Sequence, residues 1–197
     1  TTVTNNATLK SNNHLAINAD KIDNSNIIYS EQTMAIAAST ISNNGWLEGI
    51  DQLEIDSVVF NNNQAGVVWA GSAHFNVGQT LTNEGLLHSN DVLIIDASSI
   101  VNRNTKGSDL DDFTFGIQSY GTSKITANDI DNSNGLLIGT SSQVIADTIN
   151  NQGGQWLDYN TLDITATSID NTNGRFETNG AATYDATTIN NDGLIYS

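Results

Sequence analysis

The residues of this chain with the most obvious chemical potential are its carboxylates. Asp56 and Asp96 fall at matching points of a repeated unit, two units apart, which would separate them by ~10 Å in a stack of strands. The acid and base of an inverting glycosidase lie ~6.5–9.5 Å apart, so a glycan hydrolase or lyase such as a tailspike is an alternative function. Neither residue has the flanking basic and aromatic cluster of a sugar subsite, and Asp185 recurs at the same point. We therefore interpret these carboxylates as periodic surface charge and expect no catalytic residue and no enzymatic activity.

Metal and cofactor sites receive no support from the spacing of candidate ligands. The three histidines share no ligand spacing, and Asp109, Asp111 and Asp112 lack the distal Glu of a calcium-binding EF-hand loop. No phosphate-binding loop, nucleophile elbow or HExxH pair occurs. We expect no metal and no cofactor. His74, which by counting falls in an otherwise apolar column of the repeat, is predicted to be a hydrogen-bonded interior residue.

The elements that position these side chains follow from a period that runs through the whole chain. An apolar residue followed two places later by Asn recurs ten times, at Val3, Ile22, Ile41, Phe60, Leu81, Ile100, Ile130, Ile149, Ile169 and Ile189. The steps between these anchors are 19, 19, 19, 21, 19, 30, 19, 20 and 20 residues. Self-similarity at such a period is the signature of a stacked repeat architecture.

Within each unit the residues seven, five and three places before the anchor are apolar or small and alternate with polar residues. This alternation predicts a strand with one buried face, and a Gly soon after the Asn predicts a tight turn. A unit of 19–20 residues is too short for a helical repeat but suits one rung of a coil. The predicted fold is all-β: a single right-handed parallel β-helix of about ten rungs, spanning residues 1–197 as one domain, its handedness following the strand-crossover rule.

The Asn column has a structural explanation. Asn tolerates the left-handed turn conformation, and its side-chain amide can bond the same amide one rung away. The sequence therefore predicts an axial ladder of Asn5, Asn24, Asn43, Asn62, Asn83, Asn102, Asn132, Asn151, Asn171 and Asn191.

The consensus L-x-I-x-A-x-x-I-x-N resembles the haemagglutinin repeat of filamentous exoproteins of Gram-negative bacteria, a family that includes filamentous haemagglutinins and contact-dependent growth inhibition toxins. Leu162–Gly174 (LDITATSIDNTNG) and Leu93–Asn102 (LIIDASSIVN) carry the pattern clearly. The resemblance implies a right-handed β-helical shaft, secreted by two-partner secretion to the bacterial cell surface. It also implies adhesive regions, or a C-terminal toxin, carried along or beyond that shaft.

Composition restricts the partners of this segment. There are 22 acidic residues against six Lys and Arg, giving a net charge of −16, which disfavours nucleic acid as a partner. No apolar run approaches the ~20 residues that span a bilayer, so we expect no membrane insertion by this segment. Because the chain begins and ends within a repeat, we expect it to belong to a longer protein. Its expected partners are the remainder of its own filament and a protein or glycan receptor on a target cell.

Two features are candidates for that receptor contact. One is the apolar residue after the turn Gly, which alternation directs outward, as in Trp46, Leu86 and Leu136. The other is an eleven-residue excess in the 30-residue step, placed within residues 105–120, with Asp109, Asp111, Asp112, Phe113 and Phe115 as candidate contacts. Repeat proteins place insertions in loops on one face. This insertion is predicted to be either a clamp that packs on the rod or a protrusion that binds a partner.

These observations favour a structural and presenting segment of a secreted, filamentous bacterial surface protein, an adhesin or toxin-delivery filament. A dedicated receptor-binding segment of a growth-inhibition toxin is the alternative within the same class.

Overall fold

The computed structural model describes residues 1–107 and 114–197. The predicted contacts Asp109, Asp111, Asp112 and Phe113 lie outside these described residues. The described residues form only strands and connecting segments, so no apolar helix able to cross a bilayer is found among them. The strands are β1 (Thr2–Asn5), β2 (Leu9–Ser11), β3 (His14–Asn24), β4 (Ile27–Ser30), β5 (Thr33–Asn43), β6 (Trp46–Asn62), β7 (Val67–Asn83), β8 (Leu86–Ser89), β9 (Val92–Val101), β10 (Gly116–Ser119), β11 (Thr122–Thr126), β12 (Asp129–Asp131), β13 (Leu136–Asn150), β14 (Gln155–Asp170), β15 (Arg175–Thr178), β16 (Ala181–Asn190) and β17 (Leu194–Tyr196).

The strands stack in parallel as a β-solenoid of about nine turns. Register follows the sequence period, since Ile22 pairs with Ile41 and Ile41 with Phe60. Each rung adds ~4.8 Å, so nine steps give a rod of about 45 Å. The all-β, parallel β-helical fold predicted from the repeat is confirmed.

The core is a continuous column of side chains that alternate inward along each strand. In β5, for example, Met34, Ile36 and Ile41 are buried while Ala35 is exposed. The largest buried side chains are aromatic, with Phe60 edge-on to Phe75 at 5.3 Å in neighbouring rungs. Because every inner column is shared by successive rungs, each rung buries its apolar face only against its neighbours.

Two outward faces of the rod carry the candidate residues. We call the outward columns of the longer stretch of each rung the long-strand face; it includes Glu54, Asp56, His74, Asn76 and Asp96. We call the outward columns after the ladder turn the short-strand face; it comprises Ile27, Tyr29, Trp46, Glu48, Val67, Trp69, Leu86, His88, Gly116, Gln118, Leu136, Ile138, Gln155 and Leu157.

A bulge explains why the prediction for His74 is wrong. The register shifts by one residue between Val77 and Thr80, so counting back from the anchor misplaces the strand before the bulge. Ala73 occupies the inward place and is buried, whereas His74 points outward with its side chain 44% exposed. Its Nε2 lies 3.5 Å from Asp96 Oδ2 on the long-strand face.

The insertion is narrower than the sequence predicts. β10 (Gly116–Ser119) pairs with both β8 and β13, so these residues belong to a rung. The extra residues therefore lie between Asn102 and Gly116, in the turn that after Asn43 contains only residues 44 and 45. Gly116 has φ +102°, a backbone conformation that side-chain-bearing residues rarely adopt, and this allows the re-entry.

Candidate interaction surface

The Asn ladder is complete along the rod. Each ladder Asn donates from Nδ2 to Oδ1 of the next, at 2.7–2.9 Å over nine steps. The step from Asn102 to Asn132 measures 2.8 Å although the insertion separates the two residues in sequence. Most Nδ2 groups donate a second bond to a backbone carbonyl in the next rung, as from Asn132 to Gln155 O at 3.2 Å. The ladder thus fixes the turn of every rung to its neighbour.

The ladder residues are not the ones in left-handed conformation. Among the described residues other than Gly, positive φ occurs at Asn104, Asn134 and Asn173, each two places after a ladder Asn. The tight turn and the ladder therefore use different Asn residues of the same motif. The structural explanation of the column rests on its amide bonds, since the ladder members from Asn24 to Asn171 are fully buried.

The uncovered part of the short-strand face carries a stripe of apolar residues. Ile27 and Trp46 are 40% and 37% exposed, and Val67 and Leu86 continue the same column half-buried. Trp46 Nε1 donates to Glu48 Oε2 at 2.8 Å, which leaves its ring lying on the surface. Two of the predicted contacts, Trp46 and Leu86, are thus accessible in one line along the rod.

An aromatic cluster borders this stripe. Trp69 stacks on His88 with ring centroids 3.8 Å apart, and Tyr120 meets His88 edge-on at 4.7 Å. His88 is buried and its Nε2 lies 3.0 Å from Asn90 Oδ1, while Tyr120 is more than half exposed. Because Tyr120 follows β10 directly, this cluster joins the stripe to the rung that returns from the insertion.

The third predicted contact, Leu136, is not accessible. It lies in the outward column and outside the main core cluster, yet it is fully buried at 0% exposure. Its N–H donates to Thr105 Oγ1 at 2.9 Å, and Gly116 lies beside its Cβ, so the described residues at both ends of the insertion lie against it. Alternation gives the direction of a side chain correctly but cannot show that a distant loop returns over it.

The described residues at the two ends of the insertion contact the rod. Lys106 N donates to Asn134 O at 3.1 Å, and Lys106 Nζ reaches Gly153 O at 2.6 Å in the following rung. At the returning end, Phe115 is half-buried and its carbonyl accepts from Gln118 Nε2 at 3.1 Å. Residues 103–107 are therefore hydrogen-bonded to the two following rungs, and the choice between a clamp and a protrusion for the whole insertion stays a prediction.

The long-strand face brings together the residues of the enzyme alternative. Asp56 and Asp96 share one column with Asn76 between them, and Asn76 Nδ2 donates to Asp56 Oδ1 at 3.4 Å. A shallow groove of about 460 Å³ lies against Glu54, Asp56 and His74. Within the described ranges, no three His, Asp or Glu side chains converge as a metal site. The carboxylates face open solvent, which suits a charged surface.

Five of the six Lys and Arg side chains of the chain have a carboxylate or carbonyl partner. Four of them pair with carboxylates, as Lys10–Glu31, Lys21–Asp23, Arg103–Asp131 and Arg175–Glu177. A fifth, Lys106, binds a carbonyl. The accessible charge of the rod is therefore strongly negative.

Sequence reasoning missed one buried ionisable residue, Asp158. It lies in an inner column whose other members are small or hydroxyl-bearing, and it is 3% exposed. Burial raises the pKa of this carboxyl to about 7, with Ser142 offsetting part of the effect. An alignment of the rungs places Asp158 in a column of Ser, Gly, Ala and Thr, and this exception is the signal by which the sequence identifies it.

Comparison of the chain with models of protein families, with curated proteins and with solved structures found no match.

Proposed function

We propose that this chain is a rigid structural and presenting segment of a secreted filament on a bacterial surface, an adhesin or a toxin-delivery filament. The observation that carries the proposal is the unbroken ladder, which joins ten Asn residues in nine steps and continues past the insertion. A body in which every rung is bonded to its neighbours resists bending and holds what it carries at a fixed orientation. The repeat resemblance supplies the cellular setting.

The uncovered short-strand stripe supports a second role, contact with a protein or glycan receptor. Trp46, Val67 and Leu86 form a continuous apolar line in one outward column, with Ile27 at its start. Exposed apolar residues in a row are typical of a surface that binds a partner. This observation favours the receptor-binding segment of a growth-inhibition toxin as the second candidate.

One pair of variants in the producing cell tests both roles. The surface variant replaces Trp46, Val67 and Leu86 by Thr and leaves the core intact. The ladder variant replaces Asn83 and Asn132 by Ala and leaves the stripe intact. We would measure the amount of filament on the cell and its adhesion to, or inhibition of, target cells.

The presenting role predicts that the ladder variant reduces display and target contact while the surface variant leaves both unchanged. Loss of target contact by the surface variant at normal display would instead establish the receptor-binding role. If the ladder variant is displayed and active at wild-type level, the structural proposal is wrong.

A further inference from the structure

The interior of the rod contains one carboxyl group in a place built for small side chains. Asp158 lies between Gly139 and Thr178 of the two adjacent rungs. The absence of a side chain at Gly139 makes this possible, since a Cβ there would lie 2.7 and 2.8 Å from the two Asp158 carboxyl oxygens. The carboxyl therefore rests directly on the backbone of the preceding rung.

This carboxyl is poorly satisfied. Neither of its oxygens has a hydrogen-bond partner within the part of the chain that the structure describes, and the same is true of the buried Tyr184 hydroxyl in the next rung. Ser142 is the polar residue that acts on Asp158 through its hydroxyl and N–H, although neither reaches full hydrogen-bonding geometry. An ionised carboxylate in such surroundings is strongly disfavoured, whereas a neutral carboxylic acid is tolerated.

A short chain of hydroxyls connects the carboxyl to solvent. Ser123 Oγ donates to Ser142 Oγ at 2.8 Å, which leaves the Ser142 proton free to turn toward Asp158. Both serines line an open groove of about 340 Å³ at the corner of the rod, with Lys124 and Asp163 on its rim. Protons and water can thus reach the carboxyl without passing through the apolar core.

The other ionisable side chains near Asp158 are Tyr184 and four residues closer to the surface. Tyr184 faces it from β16, and burial together with the nearby carboxyl raises the pKa of this phenol to about 12. Lys124 and Asp163 lie outside, on the groove rim, and Arg175 and Glu177 pair with each other on the outer surface of β15. Within the described residues of these rungs, Asp158 is therefore the carboxyl group that is buried in the interior.

We propose that Asp158, Ser142 and Ser123 form a proton-responsive element that keeps the C-terminal rungs closed when the carboxyl is protonated and loosens them when it ionises. The folded rungs hold this proton more tightly than the unfolded chain does. The contribution of the Asp158 carboxyl to the stability of these rungs is complete below pH ~4 and is lost as the pH rises to about 7. One linked proton makes the open population rise about tenfold for each pH unit in that window.

Two measurements on the full chain test the element. The first follows the side-chain carboxyl carbon of Asp158 by NMR during a pH titration, for which we expect a midpoint near neutrality. The second measures hydrogen-exchange protection of β14 and β16 amides at pH 5 and pH 7, corrected for the intrinsic exchange rate. We expect protection to fall about 50-fold between the two, because the tenfold dependence on each pH unit levels off as the carboxyl reaches its midpoint at about pH 7.

The variant Asp158→Asn keeps the shape and removes the titration, so its protection should vary little with pH. Asp163→Asn is the matched control, because it removes one charge from the exposed groove rim of the same strand and should retain the wild-type dependence. This control also separates the element from general repulsion among the many acidic residues. A carboxyl midpoint near pH 4, or an Asp158→Asn slope equal to that of the control, overturns the proposal, and the titration alone decides the matter if the variant does not fold.

Discussion

Replacing Asn132 by Ala removes one member from the middle of the ladder. Asn132 accepts from Asn102 Nδ2 at 2.8 Å and donates to Asn151 Oδ1 at 2.7 Å and Gln155 O at 3.2 Å. Asn102 Nδ2 keeps its bond to Leu136 O at 2.8 Å. Asn151 Oδ1 keeps no donor among the described residues, so a fully buried acceptor is left without a partner.

The expected loss follows from these three bonds. At about 1 kcal/mol for each, with the orphaned acceptor placing the total toward the upper end, the free energy of unfolding should fall by about 3 kcal/mol. For a domain of this size each kcal/mol lowers the melting temperature by about 2–4 °C, so we expect a decrease of about 6–12 °C. The folded variant should retain the strand content of the wild type, because the neighbouring columns still pair.

Urea unfolding followed by circular dichroism and by tryptophan fluorescence measures this change. Asn191→Ala is the matched control: it is exposed at the last rung and loses only two accepted bonds, one from Asn171 Nδ2, which also donates to Leu194 O, and one from the Gly193 N–H at 3.4 Å. The control should lose less than about 1 kcal/mol. An Asn132→Ala protein within about 0.5 kcal/mol of the wild type would refute the reasoning, because buried ladder bonds would then carry no stability.

Three further changes address the clamp, the core and the interior glycine. Deleting residues 104–114 restores a two-residue turn. The rod should stay folded, but its free energy of unfolding should fall by about 1.5–3 kcal/mol in thermal unfolding because Leu136 becomes exposed. Unchanged stability would show that the insertion is no clamp. Trp156→Ala should lower unfolding free energy by about 3–5 kcal/mol because Trp156 is fully buried against Phe176, and a loss below 1 kcal/mol would contradict that packing. Gly139→Ala should destabilise by about 1–3 kcal/mol because its methyl group meets Ser142 Oγ as well as the Asp158 carboxyl, and combining it with Asp158→Ala should recover part of the loss.

The sequence predicts the stacking with high fidelity where the period is regular. Anchors 19 residues apart pair one to one, as Ile22 does with Ile41, because a parallel rung must place like residues over like to keep its inner face buried. The ladder follows from the same rule, since Asn at a fixed place in every rung is brought to hydrogen-bonding distance.

The failures arise where one residue or one loop breaks the period. The orientation of His74 is reversed by a single extra residue after Val77, and in a strand a one-residue shift moves every side chain to the opposite face. The burial of Leu136 depends on an insertion whose path the repeat does not determine. The consensus does not identify Asp158 because its column lies after the turn, where the consensus is weaker. The other residues of that column are small or hydroxyl-bearing, so Asp158 is the exception in it.

The central claim is that this chain is a rigid rod, and a distance between two points on one column tests it directly. Lys21 and Thr188 are exposed and lie eight register steps apart in the same outward column. The chain contains no Cys, so Lys21→Cys and Thr188→Cys can be spin-labelled uniquely. Pulsed electron paramagnetic resonance should give one narrow distribution centred near 38 Å, from ~4.8 Å per step. A broad distribution, or one centred far from that value, would contradict the account of this chain as a shaft.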